Sequence, residues 1–123
     1  MRPAQLQPIA AQAVAAAQKR LPHAVRTAAA QVPVCFAARP SQAIQDEGWE
    51  PDILGLFVGS AHGEESDEAA PLPPQILLFL ENLWDYAGGD PETYRNEIRL
   101  TYLHELGHYL GWDEDEVARR GLE

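Results

Sequence analysis

The chain predicts an α+β domain: a small sheet packed with helices drawn from both ends of the sequence. Three observations predict it. Short β-branched and apolar runs at 32–36, 53–59 and 75–80 read as strands. Stretches with apolar residues at helical spacing flank them. The segment from Asp90 to Gly111 carries both a start and a stop signal for one long helix. At 123 residues there is room for one domain, spanning 1–123.

Taken in order, Pro8 to Arg20 combines high helix propensity with Ile9, Ala13 or Val14, and Ala17 on one face. Leu21-Pro22 stops it, and Pro22 suits the first position of a second short helix through Ala30. The first strand follows, Val32 to Phe36; Pro33 costs it a ladder donor, which places that end at a sheet margin. Arg39 to Pro51 shows no periodicity and is expected to be a loop with Trp49 packed along it. The second strand is Ile53 to Gly59. Ser60 to Pro74, with four acids and three prolines, reads as a solvated loop. Gln75 to Leu80 is apolar on both faces and therefore a buried strand. Asp90-Pro91-Glu92 then supplies an N-cap, a first-turn proline and an acid that complements the helix dipole. Gly111 ends that helix, and Asp113 to Arg120 reads as a short acidic helix or turn. The expected order is α-α-β-β-β-α-α.

Composition narrows the function classes. The chain is 46% hydrophobic and 23% charged, an ordinary globular balance. Its apolar runs are too short to cross a bilayer, and Gln12 and Gln18 break the alanine-rich start, so neither a membrane span nor a signal peptide is expected. The single Cys35 excludes an internal disulfide and is expected to pack in the core. We expect a soluble, cytoplasmic protein. Residues 1–45 hold five bases (Arg2, Lys19, Arg20, Arg26, Arg39) and no acid, a set that reads as a solvated helix surface. All 19 carboxylates lie beyond them, so nucleic acid would meet repulsion there, and neither nucleic acid nor membrane is an expected partner.

The chemistry lies in the long helix, at His104-Glu105-Leu106-Gly107-His108. Residues four apart share a helix face, so His104 and His108 can bind one metal ion. Glu105 is rotated by about 100° from His104, within reach of a water on that metal without ligating it. Imidazole ligands with an open coordination position favour Zn²⁺. Thr101 and Glu97 continue the face as groups that could orient the rings, and Gly107 would let the helix approach the sheet. A third protein ligand is expected. Gly111 turns the chain back, and Asp113, Glu114 and Asp115 follow as candidates. His62 and His23 read as surface residues.

These residues carry a resemblance. His104 to Glu114, H-E-L-G-H-Y-L-G-W-D-E, is similar to the H-E-x-x-H-x-x-G-x-x-D/H signature of met- and gluzincin-like metallopeptidases. More closely, the chain resembles the small bacterial minimal zincins, which are matrix-metalloprotease-like. Leu21-Pro22, the strand at 32–36, Asp52 to Gly59, Pro74 to Phe79 and Arg119 to Leu122 fall where that family has counterparts. The resemblance implies a zincin-like fold, its small mixed sheet packed against the N-terminal helical pair and a long active-site helix. It implies zinc-dependent hydrolysis of peptide bonds, with His104 and His108 as metal ligands and Glu105 as general base on a zinc-bound water. The family's third ligand falls on Glu114, where aspartate is usual, and Asp113 stands beside it. No methionine turn is present, since the only methionine is Met1. Nine residues follow Glu114, so no lower subdomain is expected. That last feature motivates an alternative, a catalytically silent zinc-binding zincin acting as a protein-interaction module. A peptide or protein substrate would add to the sheet edge at Leu54 to Gly59, with Ser60 to Pro74 as a rim. Tyr109 and Tyr86 are candidates for a transition-state donor.

Overall fold

Helix α1 (Pro3–Lys19) begins ahead of Pro8, the residue expected to open it, and carries that proline inside. A proline there forfeits an intrahelical hydrogen bond, and packing outweighs the loss. Leu6, Ala10, Val14 and Ala17 form one buried stripe, and the Leu6 carbonyl accepts from the Tyr94 hydroxyl at 3.0 Å. Helix α2 (His23–Ala29) follows, with Pro22 as its N-cap rather than its first residue. Arg26 Nη2 donates to the carbonyls of Lys19 and Leu21, both at 3.0 Å, and closes the corner between the two helices. The computed structural model describes residues 3–59 and 73–111. Most of the expected acidic loop, with His62, and the expected turn at Asp113 to Arg120 lie outside the described residues.

Strands β1 (Val34–Ala37), β2 (Gly55–Val58) and β3 (Gln75–Phe79) form a mixed sheet in the order β1-β3-β2. β1 runs parallel and β2 antiparallel to β3. The central place of β3 matches its apolar character on both faces, and Ile76 and Leu78 are fully buried. Pro33 stands just outside β1, where its missing donor is harmless, and its carbonyl accepts from the Ile76 N–H at 2.9 Å. Cys35 corrects the expectation of a core thiol. β1 alternates, with Val34 and Phe36 packed against the core and Cys35 and Ala37 turned out and exposed.

Two short helices were not foreseen. The expected loop after Arg39 contains α3 (Gln42–Asp46), started by Ser41, whose hydroxyl accepts from the Ile44 N–H at 3.3 Å. Trp49 does not pack as expected; it is 46% exposed. β3 runs directly into α4 (Leu80–Tyr86), so Leu80 opens a helix rather than closing a strand. Among the described residues the order is therefore α-α-β-α-β-β-α-α. Asn82 of α4 fixes the chain that leads into β2. It is 4% exposed, and its Nδ2 donates to the carbonyls of Pro51 and Ile53, both at 2.9 Å. Its Oδ1 accepts from Arg39, which also pairs with Asp85 at 3.0 Å. A buried amide with both ends satisfied orders its neighbours; unsatisfied, each end would cost about 1–3 kcal/mol.

Helix α5 (Pro91–Tyr109) bears out its signals. Asp90 Oδ2 accepts from the Thr93 N–H at 2.8 Å and from the Thr93 hydroxyl at 2.6 Å. Those bonds, the hydroxyl's foremost, hold the Asp90 carboxyl below the usual carboxylate range. At the other end Gly111 takes a φ of +78°, left-handed as expected of a stop. Tyr94, Ile98, Tyr102 and Leu106, four residues apart, are fully buried and pack α5 against α1, α4, β2 and β3.

Burial pushes the Tyr94 hydroxyl well above its ordinary ionisation range, and raises Tyr102 for the same reason. Above pH ~10 the unfolded chain releases these protons while the folded chain retains them, so stability falls as pH rises. The urea midpoint is expected to drop between pH 9 and 11, and Tyr94→Phe to flatten that drop. An unchanged slope in the variant would assign the alkaline loss to other groups.

Candidate metal centre

Helical spacing alone brings the two histidines together. His104 Nε2 and His108 Nε2 lie 3.1 Å apart, with ring centroids at 4.7 Å and planes inclined at 80°. His104 is half-buried and His108 exposed. One ligand atom from each of His104, Glu105 and His108 falls within 4.8 Å of the others. The donor set fits a zinc ion. Two nitrogens each about 2.0–2.1 Å from a tetrahedral centre stand about 3.3 Å apart, close to the separation the helix provides.

Glu105 is placed by the sheet as well as by the helix. Its Oε1 accepts from the Phe57 N–H of β2 at 3.0 Å. This bond is available because β2 is an edge strand. Leu54 pairs with Phe79, its carbonyl accepting from the Phe79 N–H, so the backbone groups of Gly55 and Phe57 point away from β3. Burial raises the Glu105 carboxyl above its ordinary range, while His108, His104 and the Phe57 N–H pull it the other way. A carboxyl so poised beside an imidazole pair has the character of a proton acceptor.

Beside these groups lies an open cleft of about 440 Å³, lined by Leu54, Gly55, Leu100, Thr101, His104 and Glu105. Thr101 faces this cleft, and its methyl packs on β2: a Cβ added at Gly55 would sit 2.7 Å from Thr101 Cγ2. The close approach of helix to sheet is thus made at Gly55. Gly107, expected to permit such an approach, is buried. Glu97 is half-buried one turn further back.

Of the two tyrosines considered as donors, Tyr109 is buried and packs edge-to-face on Phe57 at 5.7 Å, and Tyr86 is 66% exposed. His23 is exposed, as expected. Glu114 and Asp113 lie outside the described residues, just after the Gly111 turn. The Phe57 N–H and the role of Gly55 were not foreseen. A glycine inside an apolar strand was the available signal, since it marks close backbone approach.

The zincin-like metallopeptidase family model matches residues 29–122, from the end of α2 through the His-Glu-x-x-His pattern and beyond. No curated protein matches the chain. Members of the matched family bind zinc through that pattern.

Proposed function

The chain belongs to the zincin-like metallopeptidase family, and from that premise we propose that it hydrolyses peptide bonds, with His104, His108 and Glu114 holding zinc and Glu105 as general base. The observation that carries this reading is the imidazole pair, 3.1 Å apart, beside a carboxylate fixed to an edge strand. Zinc, when bound, supplies a Lewis acid that polarises the scissile carbonyl and makes water easier to deprotonate. Glu105 takes the proton of the attacking water and returns it to the leaving amine. The Phe57 N–H keeps one carboxylate oxygen anchored, so the other is aimed rather than free to rotate. Gly55 presents outward backbone groups, and Phe57 its carbonyl, to an extended substrate. We place the residue after the cleaved bond over the cleft between Leu54 and Leu100, whose walls favour an apolar side chain.

The test is a mixed peptide library incubated with zinc-loaded wild type and with Glu105→Gln. Glutamine keeps an oxygen for the Phe57 N–H and loses only the base. We expect wild type to cleave before apolar residues, and the variant to bind zinc equally while losing about 10²–10⁴-fold in kcat/KM. Full activity in the variant would remove Glu105 as base. Zinc binding without any cleavage by wild type would leave a binding module in place of a peptidase.

A further inference from the structure

We infer that the groove between α1 and α5 is a second ligand site, one that binds a phosphate monoester with an apolar body. The groove is open and has a volume of about 540 Å³, within the range of small-molecule sites. Ala13, Ala16 and Ala17 form an apolar floor, and Arg20, Arg95 and Arg99 line it. Arg95 and Arg99 stand nine residues before His104 and His108. At 100° per residue that is two and a half turns, so the arginines lie on the side of α5 opposite the imidazoles. The site is independent of the metal centre and of the hydrolysis proposed there.

Charge singles this groove out. The chain carries 19 acids against nine bases and a net charge of −10, so most cations have carboxylates to choose from. Among the described residues, however, the ion pairs both belong to Arg39. Arg20, Arg95 and Arg99 make none, although Glu92 lines the same groove. Arg95 and Arg99 are one helical turn apart, where like charges oppose helix formation. Arg99 Nη2 donates to Asn96 Oδ1 at 2.9 Å, which orients that guanidinium. Three guanidiniums over an apolar floor match a doubly charged phosphate joined to a nonpolar group, since a guanidinium pairs with phosphate oxygens through two parallel bonds. The acidic remainder of the chain repels anions in general, so saturable binding of a dianion requires this local reversal of charge.

Phenyl phosphate is the probe, titrated calorimetrically into the zinc-loaded full chain at physiological salt. We expect one saturable site, no binding of phenol, and at least tenfold weaker binding by Arg95→Gln/Arg99→Gln. Arg20→Gln is expected to weaken binding severalfold. Lys19→Gln, which removes a charge outside the groove, and His108→Ala, which disables the metal centre, should bind within twofold of wild type. Absence of saturation would overturn the assignment. So would an equal loss in Lys19→Gln, which would mean diffuse attraction, or a loss in His108→Ala, which would put the phosphate at the metal.

Discussion

Replacing His108 by alanine is expected to lower zinc affinity more than about 100-fold and to abolish peptide hydrolysis, while the fold survives. Loss of a group that merely orients a metal ligand already costs about 10–100-fold in affinity, and loss of the ligand itself exceeds that. His108 is the better of the two histidines for this purpose because it is exposed, so truncation opens no cavity; His104 is half-buried and carries packing as well. Stability gives a readout that does not depend on any substrate. Zinc at a thousandfold its dissociation constant stabilises the folded state by about 4 kcal/mol, which for a chain of this size raises Tm on the order of 15 °C. Wild type should show that shift and His108→Ala should not. A variant that retained both the metal and the shift would place zinc away from the imidazole pair.

What the sequence made legible was local. His104 and His108 meet because they are four apart on one helix, and Asp90 and Gly111 bound that helix through hydrogen bonds and dihedrals that span only a few residues. β3 announced its central place by being apolar on both faces. What escaped depends on partners distant in the chain. Pro8 is a plausible helix start until Tyr94, 88 residues away from Leu6, rewards an extra turn before it. α4 has no side-chain cap, since Phe79 occupies its N-cap position, and its first residues continue an apolar run; its hold on the structure comes from Asn82 reaching back to Pro51 and Ile53. In the site the same division holds. The imidazole pair was legible from spacing alone, whereas the bond between Phe57 and Glu105 joins residues 48 apart and exists only because β2 is an edge.

That division has a measurable consequence at Gly55. A Cβ there would stand 2.7 Å from Thr101 Cγ2, 3.1 Å from the Leu77 carbonyl oxygen and 3.3 Å from Leu78 Cδ2. In an ordinary strand position, alanine in place of glycine gains about 0.5–1 kcal/mol. Here the sign reverses, because Thr101 is buried and the Leu77 oxygen belongs to the backbone, so neither neighbour can move aside without cost. Gly55→Ala is expected to destabilise by about 1–3 kcal/mol through forced separation of α5 from β2. Thr101→Ser, which removes only the methyl, should recover much of that loss in the double variant, a coupling of about 1 kcal/mol or more by urea titration. The two halves of the centre should respond differently. Two of the proposed zinc ligands share one helix turn, so zinc affinity should stay within about twofold. Glu105 is aimed by β2, and a displacement of even 1 Å there is enough to lower kcat/KM by about 10²-fold. If the two substitutions prove additive instead, the methyl of Thr101 does not set the distance between helix and strand, and the loss at Gly55 must come from the contacts with β3.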